Sequence, residues 1–350
     1  MMIVGCDFHP SFQQVAVLDT ESGELQEHKL IHATEEAEQF YRRLVTPALI
    51  GMESVGNSQW FVQLLERLGH QIWIGDAAQI RASYVRKQKT DKRDAAHILK
   101  LLVEGRFPRI WVPDAKMRDQ RQLLIHRHKL VQIRSRVKNE LQHLMMNQGV
   151  QKKHKLWSVR GRAELEQLPL QHWAGRRRED LLCLLKMLDE QIEQMDQAVA
   201  VAAQQNDRAR LLMTQPGVGP VTALAFVLTI GDVTRFARSK QVASYLGLIP
   251  SESSSGGKQR MGAISKQGNR LLRVRLVEAA NSAVRFDPGF RKEYAHRGHR
   301  KHRAIAKVAA ARKLAVRLYW MLRTQTPYPK ILASRAAGFV SWSAQARPLH

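Results

Sequence analysis

From Ala115 to Gln148 the chain reads "AKMRDQRQLLIHRHKLVQIRSRVKNELQHLMMNQ", with no glycine or proline and with Leu, Ile, Val and Met at helical spacing on an otherwise basic face. A segment like this admits one long helix and little else. It divides the chain into a part before it, rich in short apolar runs, and a part after it, rich in helical patterns. A polar, basic, turn-prone connector over about 150–178 follows. Then "EDLLCLLKMLDEQIEQMDQAVAVAAQQ" predicts a second long helix, with Leu181, Leu185, Leu188, Ile192, Met195 and Val199 close to a heptad stripe. The two helices predict a helical hairpin or coiled coil over 113–207, and the stripe serves packing within one chain and pairing between subunits equally well.

Before the long helix, "MIVGCDFH", "FQQVAVLD" and "ELQEHKLIH" predict three strands joined by tight turns. "TEEAEQFYRRL", from Thr34 to Leu44, opens with a capping residue and early acids and reads as a helix. "PALIGMES" is apolar without alternation, as a strand buried on both faces requires. "GNSQWFVQLLERLG" has helical spacing, and "HQIWIGD" is another strand. The predicted order over 1–112 is βββαβαβ followed by a helix, an α/β unit.

After the helical pair, "PGVGPVTA" has the form of a helix-hairpin-helix turn. Gly217 and Gly219 flank a tight bend, and the backbone amides that open the next helix could hold a phosphate, although many glycine-rich turns bind nothing. "SESSSGGKQRMGAISKQGNRLLRVRLVEAA" predicts a serine- and glycine-rich loop with Lys258, Arg260 and Lys266, leading into a helix that carries Arg270, Arg273 and Arg275. "GFRKEYAHRGHRKHRAIAKVAAARKLAVRLYWMLR" predicts a basic helix suited to neutralising phosphates. A mainly α-helical unit over 208–325 is expected, with a tail over 326–350.

Charge narrows the function. With 56 basic and 31 acidic residues the net charge is +25, more than solubility needs, and a polyanion is the expected partner. Aromatic residues are 7% of the chain, so holding of a phosphate backbone by cationic side chains is expected, and the basic-plus-aromatic pattern of single-strand stacking platforms is not evident. Apolar runs such as "VTALAFVLTI" stop short of the roughly 20 residues a membrane span needs, and no leader pattern opens the chain. A soluble, cytoplasmic protein with no membrane partner is expected. The two cysteines, Cys6 and Cys183, stand far apart in apolar settings and exclude a disulfide framework. Histidines gather in "HRHK" and "HRGHRKHR", where they add to a cationic surface and do not suggest metal ligation.

Against that background "QKTDKRDAAHIL" is anomalous, because it sets Asp91 and Asp94 three apart among lysines and arginines. On a helix capped by Thr90 the two acids share a face, one turn apart, where they repel. Stabilisation of first-turn acids by the helix dipole is one explanation. Two further acids supply another: Asp7 ends the apolar first strand and Glu53 ends the buried fourth, where open α/β sheets build their sites. Four converging carboxylates would form an oxygen-rich cage for Mg²⁺. Two such ions about 3.5–4 Å apart would activate an attacking oxygen and stabilise a leaving one. Lys92 and Arg93, among these acids, are candidate phosphate contacts or simply a solvated helix face.

In these motifs the chain resembles the DEDD insertion-sequence transposases of the 110/1111 family. The βββαβαβ order with Asp7, Glu53, Asp91 and Asp94 is similar to their RuvC-like, RNase H-like N-terminal domain, whose last motif "TDKRDA" matches. "LMTQPGVGPVTALAFVLTIGDVTRF" and "YLGLIPSESSSGGKQRMGAISKQGNRLLR" resemble their separate C-terminal transposase domain. The resemblance implies a recombinase that cleaves and rejoins double-stranded DNA at element ends and target. It implies Mg²⁺, with Mn²⁺ able to substitute, on the four carboxylates, and a serine nucleophile that the family pattern places immediately before the glycine. That serine is Ser255, with Ser254 next. A noncoding guide RNA and a homo-oligomer, a dimer or tetramer through the helical segment, are implied as partners. Two other readings stay open: a RuvC-like endonuclease on branched DNA that uses the acids without the serine, and a non-catalytic nucleic-acid-binding protein that uses neither.

Overall fold

The computed structural model describes residues 1–84, 90–151, 155–255, 257–258, 260–300 and 302–336. The chain forms two units, Met1–Val112 and Pro113–His350.

In the first unit β1 (Met2–Phe8), β2 (Phe12–Asp19) and β3 (Leu25–Ile31) form an antiparallel meander. After α1 (Glu36–Arg43), the strand β4 (Leu49–Glu53) pairs parallel with β1. Helix α2 (Gln59–Arg67) leads to β5 (Gln71–Gly75), parallel to β4, giving the strand order β3-β2-β1-β4-β5. A one-turn helix that the sequence pattern did not predict, α3 (Ala77–Ala82), precedes α4 (Asp91–Val103). Both faces of the sheet are covered. Val4, Cys6, Ile50 and Met52 are buried with Tyr41, Phe61 and Leu65 of α1 and α2, whereas Ile3 and Ala16 are buried with Ala95, Ile98, Leu99 and Leu102 of α4. Double coverage is the reason β4 shows no alternation of apolar and polar residues.

Two glycines let α4 lie close to the sheet. A Cβ on Gly5 would come within 2.3 Å of the Ala95 carbonyl oxygen and 2.4 Å of the Leu99 nitrogen, and one on Gly51 within 2.7 Å of the Leu102 side chain. The central strands therefore meet the helix through bare backbone, and the start of α4 is held against the strand ends.

In the second unit α5 (Ala115–Asn147) and α7 (His172–Gln204) form the long hairpin. Leu130, Val137, Leu141 and Met145 share a buried cluster with Leu185, Leu188 and Ile192, and Arg127–Asp196, Arg134–Asp189 and Arg177–Glu140 pair across it. At the other end Leu124, Val199 and Ala203 join the core formed with α8 (Asp207–Met213), α9 (Pro220–Ile230), α11 (Arg270–Phe286) and α13 (Arg303–Thr324). The hairpin and the C-terminal helices thus share one core, in which the Asp287 carboxylate and Arg317 form a buried pair, with Arg317 also donating to Gln215 and lying 4.3 Å over the Phe290 ring.

Three sequence expectations differ from the structure. The connector holds α6 (Val159–Glu166), capped by Ser158, and α7 begins at His172, inside what read as connector. The basic C-terminal helix is two helices, α12 (Pro288–Arg300) and α13, the second capped by His302, and a further helix, α14 (Tyr328–Ala336), follows. The serine-rich loop carries a two-stranded ribbon of β6 (Pro250–Glu252) and β7 (Met261–Ile264), which follows α10 (Ser239–Tyr245). Serine composition hides the ribbon, but Ser251 Oγ donates to the Ala263 carbonyl and the Ser253 N–H to the Arg260 carbonyl, so polar residues make its cross-links. Both cysteines are free, and Cys183, despite its apolar run, is exposed. Among the described residues no helix is long and apolar enough to cross a membrane.

Candidate active site

Strand alternation and the two glycines fix where the first two acids point. Gly5 and Gly51 face α4, so Asp7 and Glu53, two residues further along each strand, face it as well. In register Cys6 is opposite Met52, which makes Asp7 and Glu53 neighbours on adjacent strands. Thr90 caps α4 by accepting from the Arg93 N–H, and the first helical turn brings Asp91 and Asp94 to the same edge.

The four acids differ in exposure. Asp94 is buried at 6% and accepts from the Tyr84 hydroxyl at 2.6 Å. The side chain of Asp7 is 16% exposed and that of Asp91 49%, so the site grades from interior to solvent. Burial pushes the Asp7 carboxyl above its ordinary range; His9 opposes this, while the Asp94 and Asp91 charges add to it. The Tyr84 hydroxyl is pushed up by burial, then by Asp94, Asp7 and Glu53. The register of β1 on β4 and the contacts of His9 with Asp7 and Asp91 are what draw Asp7, Glu53 and Asp91 towards one edge.

The sequence reading missed two participants. His9 Nε2 lies 3.1 Å from Asp7 Oδ2 and 3.6 Å from Asp91 Oδ1, and its ring stacks on Phe12 with centroids 4.7 Å apart. Attention to histidine-rich tracts passed over this one. Its signal was the spacing in "DFH", since residues two apart on a strand share a face. Tyr84, which also stacks on His97 at 4.1 Å, carried no comparable signal because it stands in a polar segment.

This donor set fits a divalent cation. One ligand atom each from Asp7, His9 and Asp91 lie within 4.8 Å of one another. Two ligands of a small ion at roughly 2.1 Å each are at most about 4.2 Å apart, so a shift of a few tenths of an ångström completes the geometry. Of the neighbouring cations, Lys92 is exposed and 3.7 Å from Glu27, and Arg93 is exposed.

In the second unit Ser255 is exposed on the ribbon, where its carbonyl accepts from the Lys258 N–H. Ser254 Oγ donates to Glu252 at 2.7 Å and accepts from the Arg260 N–H. Lys258, Arg260, Lys266 and Arg270 face solvent. Arg273 instead donates to the Gln267 and Leu246 carbonyls, so it ties the end of the ribbon segment to the α10 terminus. Gly217 has φ +85°, and a Cβ there would come within 2.5 Å of the Ala279 carbonyl oxygen, so this glycine serves packing on α11; Gly219 caps α9.

Two family profiles match. A DEDD-type IS110 profile described as a transposase covers residues 4–148, and that of the transposase IS116/IS110/IS902 family covers 209–295, together more than half of the chain. The chain belongs to this family of insertion-sequence transposases. A probable family 20 transposase of Pseudomonas aeruginosa is 29% identical, over 70% of this chain and 74% of that protein. A putative transposase of Sinorhizobium fredii, y4pF/y4sB, is 26% identical over 79% and 73%. The transposase for insertion sequence element IS1111A of Coxiella burnetii is 31% identical over 58% and 57%. The first profile spans all four acids and the second spans the serine ribbon, so the IS110-type assignment rests on both units.

Proposed function

We propose that this transposase cleaves and rejoins DNA with Asp7, Glu53, Asp91 and Asp94 as holders of Mg²⁺ in an RNase H-like unit and with Ser255 as nucleophile. The observation that carries the proposal is the gathering of like charges at the start of α4, which costs stability and which a bound cation would offset. Bound there, Mg²⁺ would polarise the scissile phosphate and stabilise the departing oxygen. Asp94, fixed by Tyr84, and Asp7, fixed by the strand, orient the site, while Asp91 lies at its open edge.

Ser255 Oγ attacks phosphorus as the bond from phosphorus to one deoxyribose oxygen breaks. The serine proton passes to solvent, the released oxygen takes up a proton, and the phosphodiester is conserved as a serine ester. Attack by a DNA hydroxyl reverses the step and rejoins the strand. The ribbon that carries Ser255 would come from the same or from a neighbouring subunit of an oligomer. Lys258, Arg260, Lys266 and Arg270, all solvent-facing, would neutralise DNA backbone, and a noncoding guide RNA would supply sequence recognition that a backbone-holding surface lacks.

The test is recovery of a covalent protein–DNA adduct from element-end DNA with Mg²⁺, mapped by peptide. An adduct on Ser255 that persists in Ser254→Ala supports the assignment. Cleavage that continues in Ser255→Ala without any adduct would replace transposition through a serine ester by metal-dependent hydrolysis. RNA that copurifies with the protein tests the guide.

A further inference from the structure

His9 belongs to none of the four carboxylates that define the family's label, yet it lies closer to Asp7 and Asp91 than a bystander would. Its Nε2 is 3.1 Å from one and 3.6 Å from the other, and with them it is the only trio of possible ligands found among the described residues, its atoms all within 4.8 Å of one another. The ring is not free to wander, because it stacks on Phe12, and Lys29 sits 4.3 Å over the other partner of that stack. His9 stands one residue past β1, which ends at Phe8, and its approach to Asp91 sets its ring against the start of α4.

We propose that His9 is a direct metal ligand and gives this site a mixed nitrogen and oxygen donor set. The inference rests on the metal-holding role proposed above for the carboxylates. Nε2 faces both carboxylates, and a cation held among them would take the same three atoms as ligands, with the ring nitrogen binding in its unprotonated form. Phe12 keeps the ring plane fixed, so the nitrogen is presented without the entropy cost of ordering a free side chain.

A nitrogen ligand changes which ion the site prefers. Mg²⁺ favours carboxylate, water and phosphate oxygens over imidazole, whereas Mn²⁺, which also binds oxygen well, accepts an imidazole nitrogen more readily than Mg²⁺ does. Between the two ions the all-carboxylate reading assigns to this family, His9 therefore shifts the balance towards Mn²⁺. The side chains of His9, 35% exposed, and Asp91, 49% exposed, both stand at the open edge of the site, where the ion would also meet solvent and phosphate.

The experiment is Mn²⁺ binding to the purified full chain, followed by electron paramagnetic resonance and by competition with Mg²⁺. Spin-echo spectra of bound Mn²⁺ are expected to show a directly coordinated imidazole nitrogen, lost in His9→Gln. His9→Gln is expected to weaken Mn²⁺ by about tenfold and Mg²⁺ by much less, in the range known for perturbing a metal's ligand shell. Bound Mn²⁺ without nitrogen coupling in the unsubstituted protein, or an equal loss for both ions in His9→Gln, overturns the proposal and leaves the carboxylate site standing. Asp7→Asn tests that site separately: if it binds Mn²⁺ as tightly as the unsubstituted protein, the carboxylate reading itself fails.

Discussion

In the first unit Asp94 is buried, Asp7 nearly so, and each is fixed by a neighbour, Tyr84 for one and His9 for the other. In the second, Ser255 and the strand residues Ser251 and Glu252 face solvent on a short ribbon. The contrast follows from charge. Carboxylates of like sign can be kept together only by a scaffold that opposes their repulsion, and the sheet with its close-packed helix is such a scaffold. A serine hydroxyl has no charge to compensate, so a ribbon cross-linked by serine side chains suffices to present it.

The sharpest way to break this comparison is to remove from each unit one group to which the proposed function gives a chemical role. Asp7→Asn and Ser255→Ala are each expected to lower strand cleavage by about 10³-fold or more. Their effects on folding should diverge. Burial raises the Asp7 carboxyl's pKa in the fold, so without metal the ionised group opposes folding, and that penalty is relieved as pH falls through the raised value. Asp7→Asn should therefore melt higher than the unsubstituted protein in chelator, and lose the stabilisation that Mg²⁺ gives it. Ser255→Ala should change melting by no more than about 0.5 kcal/mol, as for other exposed sites. A destabilised Asp7→Asn would mean that the carboxylate serves the fold.

Asp287→Ala sharpens the comparison from the other side, because here the second unit does bury a charge. Leaving Arg317 without its carboxylate is expected to cost about 3–5 kcal/mol. Hydrogen exchange should show the loss along α11 and α13 and spare β1. The Asp287 carboxyl, buried but held by Arg317, lies below its ordinary range. Its contribution is therefore complete above the unfolded pKa of about 3.9 and declines as pH falls below that value. Protection of α13 should be flat from neutrality to about pH 4 and fall beneath it, and Asp287→Asn should remove that dependence.

Gly5→Ala probes the scaffold without touching an acid. The added Cβ meets backbone atoms of α4, which cannot rotate away as a side chain would, so a cost of about 1–3 kcal/mol is expected. Because α4 carries Asp91 and Asp94, the same substitution should also weaken metal binding. Calorimetry with a Mn²⁺ titration reads both, and loss of stability with unchanged metal affinity would separate the helix packing from the site.

How far the sequence alone reached depended on whether a signal was periodic or spatial. The strand and helix order of the first unit followed from apolar runs and turn residues, and the Thr90 cap put Asp91 and Asp94 on one helical face. Strand alternation left Asp7 and Glu53 as candidates, but the reason they can be neighbours of α4 lies in Gly5 and Gly51, whose bare backbone no local pattern announces. His9 was legible from its spacing to Asp7 and was passed over because histidines elsewhere in the chain cluster with arginines. Tyr84 was not legible at all, since its partner Asp94 is ten residues further along the chain. In the second unit serine and glycine composition suggested a loop, and the ribbon became visible only through hydrogen bonds between Ser251 and Ala263 and between Ser253 and Arg260.

The smallest expected effect comes from Tyr84→Phe, which tests whether the first unit's acids are held as tightly as the contrast with Ser255 requires. The change deletes the hydroxyl that donates to Asp94 and keeps the ring on His97. One hydrogen bond to a buried carboxylate is worth about 1 kcal/mol here, because the half-exposed tyrosine can be partly replaced by water. Metal affinity should fall a few-fold, not vanish, since Asp94 keeps its place on α4. Tyr84→Ala, which also loses the ring stack, should cost more. If the two substitutions are equivalent, packing on His97 is not part of what positions Asp94, and the hydroxyl alone does that work. If Tyr84→Phe leaves both stability and metal affinity unchanged, Asp94 is held by the helix alone and the interior end of the site is less constrained than its burial implies.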